Sequence, residues 1–281
     1  MPQVSAIQMC SSENVDENIN AAKRLIKKSA ENGSVLTVLP EMFPIISNNS
    51  SQKNICIEPY ETGIIQKHIA QCAKENNIWV VAGTIPMLSK ASHKYKAASI
   101  IFDNRGEIIA RYDKIHLFET NTIHEWQSVE DGDQAVVVKT PYGVIGPTVC
   151  YDIRFPVFYN HLRNLGAQMI TVPSAFTVET GTAHWETLIR ARAIENLCYV
   201  IAACQSGTHA SGRETYGHSM IVSPWGEILA ESKLVGEDVI DANIDLHYLE
   251  SIRLKLPMKA KEKFFPDMNE KISTHIIEYN V

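Results

Sequence analysis

The chain has 281 residues, 45% of them hydrophobic and 21% charged, with a formal net charge of −6. This is apolar material enough for one large core, which excludes global disorder, and the acidic balance argues against a nucleic-acid partner. The opening MPQVSAIQMC carries no basic leader, and no apolar run approaches the length that spans a bilayer, so a protein of the reducing cytoplasm, away from any membrane, is expected.

In chain order, Val4–Met9 reads as a first strand. A helix is predicted over Asp16–Asn32, where Val15, Ile19, Ala22, Ile26 and Ala30 recur every three to four residues and Gly33 closes the pattern. Val35–Leu39 reads as a buried strand, Thr62–Asn76 as a second helix with Ile65, Ile69, Cys72 and Ala73 on one face, and Trp79–Gly83 as a strand. Asp103-Asn104-Arg105-Gly106 is a hairpin turn between Ala97–Phe102 and Glu107–Tyr112. Pro141-Tyr142-Gly143 makes a second hairpin, between Ala135–Lys139 and Val144–Val149. A helix over 156–165, strand Met169–Val172, a helix over 182–197 and strand Tyr199–Cys204 come next. Pro224-Trp225-Gly226 turns a third hairpin, followed by strand Val239–Ile244 and a last helix from Asp245 to Leu256. Helices alternating with strands, interrupted by hairpins, imply an α/β fold with mixed sheets in layers. The whole of 1–281 reads as a single domain, with 257–281 as a tail. Arg253, Lys255, Lys259, Lys261 and Lys263 form a basic cluster there, read as a solvated face.

Three residues just past buried strands could carry chemistry. Cys150 ends the run Val144–Val149, ahead of a helix that Pro156 would open; the positive end of that helix would favour a thiolate nucleophile. A buried, inert cysteine is the plain alternative. Glu41 follows Pro40 and could act as a general base, or simply cap a surface turn. Lys114 follows the strand ending at Tyr112 and could stabilise an oxyanion, or be a solvated lysine. The six cysteines include no C-x-x-C pair and suggest no disulfide framework. His116, His209 and His218 belong to no H-x-x-x-H or H-E-x-x-H pattern, so no zinc site is expected. Asn48-Asn49-Ser50 and Asn49-Ser50-Ser51 fit the glycosylation pattern but have no meaning without a secretion route.

Pro40-Glu41-Met42-Phe43, Tyr112-Asp113-Lys114-Ile115-His116-Leu117-Phe118 and Cys150-Tyr151-Asp152-Ile153-Arg154-Phe155-Pro156 resemble, in order, the glutamate, lysine and nucleophile segments of the nitrilase superfamily of carbon–nitrogen hydrolases. The resemblance runs over nearly the whole chain. It implies a four-layer αββα sandwich, a homodimer, no metal or organic cofactor, and catalysis by Cys150, Glu41 and Lys114. In that scheme Cys150 attacks a carbonyl, Glu41 takes its proton, Lys114 and the Tyr151 N–H hold the oxyanion, and a thioester is hydrolysed. Glu125, in His124-Glu125-Trp126, is the candidate for the second glutamate that many members carry.

A further set of segments resembles the Nit branch: Pro173-Ser174-Ala175-Phe176, Gly181-Thr182-Ala183-His184-Trp185-Glu186, the stretch Arg190 to Asn196, and Tyr216-Gly217-His218-Ser219-Met220. That branch implies hydrolysis of a small carboxylate-bearing amide. Deaminated glutathione, giving 2-oxoglutarate and cysteinylglycine in a metabolite-repair reaction, is the first expectation, α-ketoglutaramate the second, and another amide or N-carbamoyl compound the third. Carboxylate substrates need cations or backbone donors, so Arg154 is a candidate contact, with a salt bridge to Asp152 as the alternative. Ser174, Phe176, Thr182 and His184 are expected to line or support the pocket mouth. Arg190 and Arg192 point apart on one helix and read as interface or ion-pair residues. A binding module of nitrilase fold without catalysis is the rival class, and the presence of all three catalytic residue types argues against it.

Overall fold

Two sheets lie face to face between helices in a computed structural model that describes residues 1–47, 55–91, 93–121, 123–258 and 273–279. The first sheet is built from β1 (Gln3–Gln8), β2 (Leu36–Val38), β3 (Trp79–Leu88), β4 (Tyr95–Phe102) and β5 (Ile108–Asp113), in that order, with β14 (Asp238–Asn243) antiparallel on the outer side of β1. The second contains β6 (Gln134–Thr140), β7 (Gly143–Pro147), β8 (Met169–Thr171), β9 (Tyr199–Ala202), β12 (Met220–Val222), β13 (Ile228–Glu231) and β15 (Ser273–Glu278), in the order β13-β12-β9-β8-β7-β6-β15. A small hairpin, β10 (Ser206–Thr208) with β11 (Glu214–Tyr216), stands apart from both.

Alternation along the strands assigns the two faces of the first sheet. Val4, Ala6, Val38, Trp79 and Val81 join one apolar cluster with Val137, Ile145, Met169 and Ile201 of the second sheet. Ile7, Val80, Ala82 and Ile100 belong instead to a second cluster, with Ile19, Leu25 and Ile26 of α1 (Val15–Glu31) and Ile65 and Ile69 of α2 (Ile64–Glu75). On the second sheet lie α3 (Pro156–Asn164), through Phe158, Tyr159 and Leu162, and α4 (Val178–Asn196), through Trp185, Ile189 and Ala193. The layers are therefore αββα, as expected. Asn14 opens α1 by accepting from the N–H groups of Asp16 and Glu17 at 3.1 and 3.3 Å. The last helix, α5 (Leu246–Lys255), is capped likewise by Asp245.

The predicted hairpins and helices are present, with four departures. Helix α4 starts at Val178 rather than 182, because Thr177 caps it and accepts from the N–H of Thr180. Strand β3 continues past Gly83 to Leu88, through a register shift between Ala82 and Ile85. Hairpin β10–β11 falls in a polar stretch with no alternation to announce it. Finally, Ser273–Glu278 of the tail forms an edge strand parallel to β6, with His275 opposite Val136. Asn48 to Ser51, and Lys259, Lys261 and Lys263 of the basic cluster, lie outside the described residues.

Candidate active site

Glu41, Lys114 and Cys150, far apart in sequence, meet at one end of the two sheets. Glu41 follows β2, Lys114 follows β5 and Cys150 follows β7, each in the loop just beyond its strand. The turn that carries Glu41 presses so closely on β3 that a Cβ on Gly83 would fall 1.8 Å from the Pro40 carbonyl oxygen. Only glycine fits there. Cys150 opens a short 3-10 turn, Cys150–Arg154, with a left-handed φ of 47° that a side chain rarely adopts. Its own N–H is spent on the Pro173 carbonyl at 2.9 Å. The neighbouring Tyr151 N–H sits in the first turn, where donors have no partner within the helix.

Lys114 Nζ lies 2.8 Å from Glu41 Oε1, and 3.1 and 2.9 Å from the two oxygens of Glu125. Glu41 Oε2 accepts from the Ala175 N–H at 2.9 Å, and Glu125 Oε2 from the Phe118 N–H at 2.6 Å. Lys114 is 1% exposed and Glu41 4%. Burial disfavours the charge on Lys114, yet Glu125 and Glu41 together outweigh it and hold the ammonium well above the ordinary lysine value. The Cys150 thiol faces Glu41 and the Ala175 N–H. Burial first, and Glu41 second, push it far above the ordinary thiol value, against the opposing pull of Lys114. Burial and Glu41 thus oppose the positive potential that the sequence leads one to expect at this thiol.

A second group of contacts ties the lysine and cysteine segments together. Asp152, fully buried, accepts from Tyr112 Oη at 2.7 Å, the His116 N–H at 3.0 Å and the Val149 N–H at 2.8 Å, and its Oδ1 lies 2.7 Å from His116 Nδ1. The His116 ring stacks on Phe155, centroids 3.7 Å apart. Arg192 Nε donates to the Ile153 carbonyl at 2.7 Å and its guanidinium pairs with Glu195, so α4 braces the same turn. Arg190 pairs with Glu186 at 3.1 Å.

The three residues line a cavity of about 420 Å³, together with Glu125, Tyr151, Arg154 and Phe176. Among the described residues Arg154 makes no ion pair with Asp152; it lies 3.3 Å from His184 Nδ1 and over the rings of Tyr151 and Phe176. Three expected mouth residues lie off the lining. Ser174 is fully buried behind it, with Oγ donating to the Val172 carbonyl. Thr182 is exposed and bonds back to the Val178 carbonyl within α4, whose early start turns it outward. His184 is exposed and reaches the cavity only through Arg154. Sequence reasoning missed Thr84, which accepts from the Met42 N–H at 2.8 Å, and also Tyr95 and Arg213. Burial, then Glu125, push the Tyr95 phenol up to about 12. No local pattern marks any of these three. Among the described residues no group of three His, Cys, Asp or Glu side chains is arranged to hold a metal ion.

A family model described as carbon-nitrogen hydrolase matches residues 3–254. The deaminated glutathione amidase of Yersinia enterocolitica is 37% identical over 280 residues, covering 96% of each chain. The deaminated glutathione amidase of Dictyostelium discoideum is 38% identical over 268 residues, 91% of this chain and 92% of its own. The crystal structure of Saccharomyces cerevisiae Nit3, described as a member of branch 10 of the nitrilase superfamily, matches with a TM-score of 0.85 at 32% identity, over 94% of this chain and 97% of that one.

Proposed function

This chain belongs to the carbon-nitrogen hydrolase family, and on that premise we propose that it is a cysteine-dependent amidase acting on a small carboxylate-bearing amide, deaminated glutathione first. The observation that carries this reading is the buried contact of Glu41 with Lys114, with the Cys150 thiol facing the same glutamate.

Each group has a task in the reaction. Glu41 takes the thiol proton as Cys150 Sγ attacks the amide carbon, so the thiolate exists only as the bond forms. Charge moves to the carbonyl oxygen, where Lys114 Nζ and the Tyr151 N–H stabilise it. Glu41 returns its proton to the departing nitrogen as the carbon–nitrogen bond breaks, leaving a thioester on Cys150. Water then gives a proton to Glu41 and adds to the thioester, and the acid is released with the proton restored to Sγ. Glu125 fixes Lys114 from the opposite side and keeps it charged throughout.

We place the whole of 1–281 in one domain acting in the cytoplasm as a homodimer. The exposed apolar side chains Ile194, Trp225 and Ile228, on α4 and the β12–β13 turn, support a second copy as partner. The deciding experiment is turnover of deaminated glutathione beside α-ketoglutaramate, with Cys150→Ala as control. Preference for the first supports the repair reading, preference for the second makes the protein an ω-amidase, and hydrolysis of neither overturns both.

A further inference from the structure

Two guanidinium groups face the cavity around Cys150, and among the described residues neither pairs with a carboxylate. Arg154 rests against His184 and two aromatic rings. Arg213, half-buried in the loop between β10 and β11, donates from Nη2 to the Ala175 carbonyl at 2.8 Å and lies 3.6 Å from Met42 Sδ through Nη1. Arg24, Arg105 and Arg111 are by contrast neutralised by Glu237, Asp103 and Asp113, and Arg253, without an ion pair among the described residues, is spent on the Leu197 and Ala167 carbonyls away from the cavity. A guanidinium has five N–H donors, so a carbonyl and a thioether leave Arg213 with donors to spare. A cation left unpaired at the wall of a partly apolar cavity carries a desolvation cost that a ligand anion would offset.

The formal charges point the same way. Lys114 against Glu41 and Glu125 leaves the catalytic cluster one negative charge in surplus, which would repel an anionic substrate. Arg154 and Arg213 turn the cavity as a whole positive. Arg213 is also placed for contact close to the reacting atoms: Ala175, whose carbonyl anchors it, gives its N–H to Glu41 Oε2. A carboxylate held there would lie a few bonds from a carbonyl presented to Cys150.

We propose that Arg213 is a specificity-determining residue that receives one terminal carboxylate of the substrate while Arg154 receives another, so that the cavity selects amides carrying a carboxylate at each end. This rests on the amidase reading and narrows it to dicarboxylates. The competing account makes Arg213 a brace that only fastens the β10–β11 loop to Ala175.

The test compares wild type, Arg213→Ala and Arg213→Lys on a dicarboxylate amide and on the same amide with both carboxylates esterified. Arg213→Ala is expected to lower kcat/KM for the dicarboxylate roughly 10- to 100-fold, mainly through KM, and for the diester by a much smaller factor. Arg213→Lys recovers part of the loss, since it keeps the charge and loses the fork. Equal losses on both substrates would mark a brace and overturn the proposal. Calorimetric binding of 2-oxoglutarate, with its dimethyl ester as control, is measured on the same proteins and does not depend on turnover. Binding to wild type that Arg213→Ala abolishes supports the proposal, and where no amide is hydrolysed it still shows the carboxylate contact of Arg213 while the amidase reading falls. Binding that is absent in wild type, or unaffected by Arg213→Ala, overturns it.

Discussion

Lys114 and Glu41, 73 residues apart in sequence, form an ion pair of 2.8 Å that is almost wholly closed to solvent. A buried pair of this kind serves chemistry and fold at once, and the two roles separate on mutation. On the mechanism proposed above Lys114→Ala removes the oxyanion cation and is expected to lower kcat roughly 100-fold or more. It also leaves Glu41 and Glu125 facing one another without compensation, at a cost to stability of about 3 kcal/mol. Steady-state kinetics and urea denaturation check the two effects. A change confined to KM would mean that Lys114 only binds substrate.

Cys150→Ala is expected to abolish turnover while the far-UV spectrum and denaturation midpoint stay near those of wild type, since alanine keeps the Cβ and removes one heavy atom beside an open cavity. Glu41→Gln keeps the shape and removes the carboxylate proposed as base, so kcat is expected to fall by roughly 100-fold to 10,000-fold. Retention of substantial activity by either variant removes that residue from the mechanism.

Asp152 never faces the cavity, yet it accepts from the lysine segment through Tyr112 and His116 and from the nucleophile segment through Val149. Asp152→Asn exchanges one acceptor oxygen for a donor inside this cluster. A stability loss of about 2 kcal/mol is expected, with a fall in kcat that exceeds any change in KM. An unaltered kcat would show that the clamp supports the fold without positioning Lys114 or Cys150.

His209 is buried, with Nδ1 at 2.8 Å from the Ser11 carbonyl and Nε2 at 2.7 Å from Thr215 Oγ1. Burial holds its pKa below the ordinary value of about 6.5. The unfolded chain therefore binds this proton more readily than the folded one. The stabilising contribution is complete above about pH 6.5 and is lost as pH falls through the folded value. Thermal denaturation between pH 8 and pH 5 should show the decline, and His209→Gln should flatten it. Equal slopes in the two proteins would assign the acid sensitivity elsewhere.

Much of this architecture is legible in the chain itself. Turn residues such as Asp103 announce their hairpins because the signal is local: its carboxylate accepts from the N–H groups of Arg105 and Glu107, two and four residues on. Glu41, Lys114 and Cys150 are legible as candidates because each follows a run of buried strand residues, and Glu125 because it sits beside the matched lysine segment. Arg213 and Tyr95 are not, since the one sits in the β10–β11 loop and the other at the start of β4, and only the tertiary fold brings them to the cavity. Thr182 misleads for a related reason. It lies within α4, which begins at Val178, and its hydroxyl is spent on the Val178 carbonyl at the solvent side. The helix end ahead of Cys150 is visible in sequence, whereas the burial that pushes its pKa up is not.

The left-handed backbone at Cys150 has a consequence for how this molecule can be engineered. An L-residue in that conformation costs about 1 kcal/mol or more relative to glycine, so a screen for heat resistance alone would favour glycine there and discard the thiol proposed as nucleophile. Durability and reactivity compete for a single codon, and any stabilisation campaign has to fix that codon before it begins.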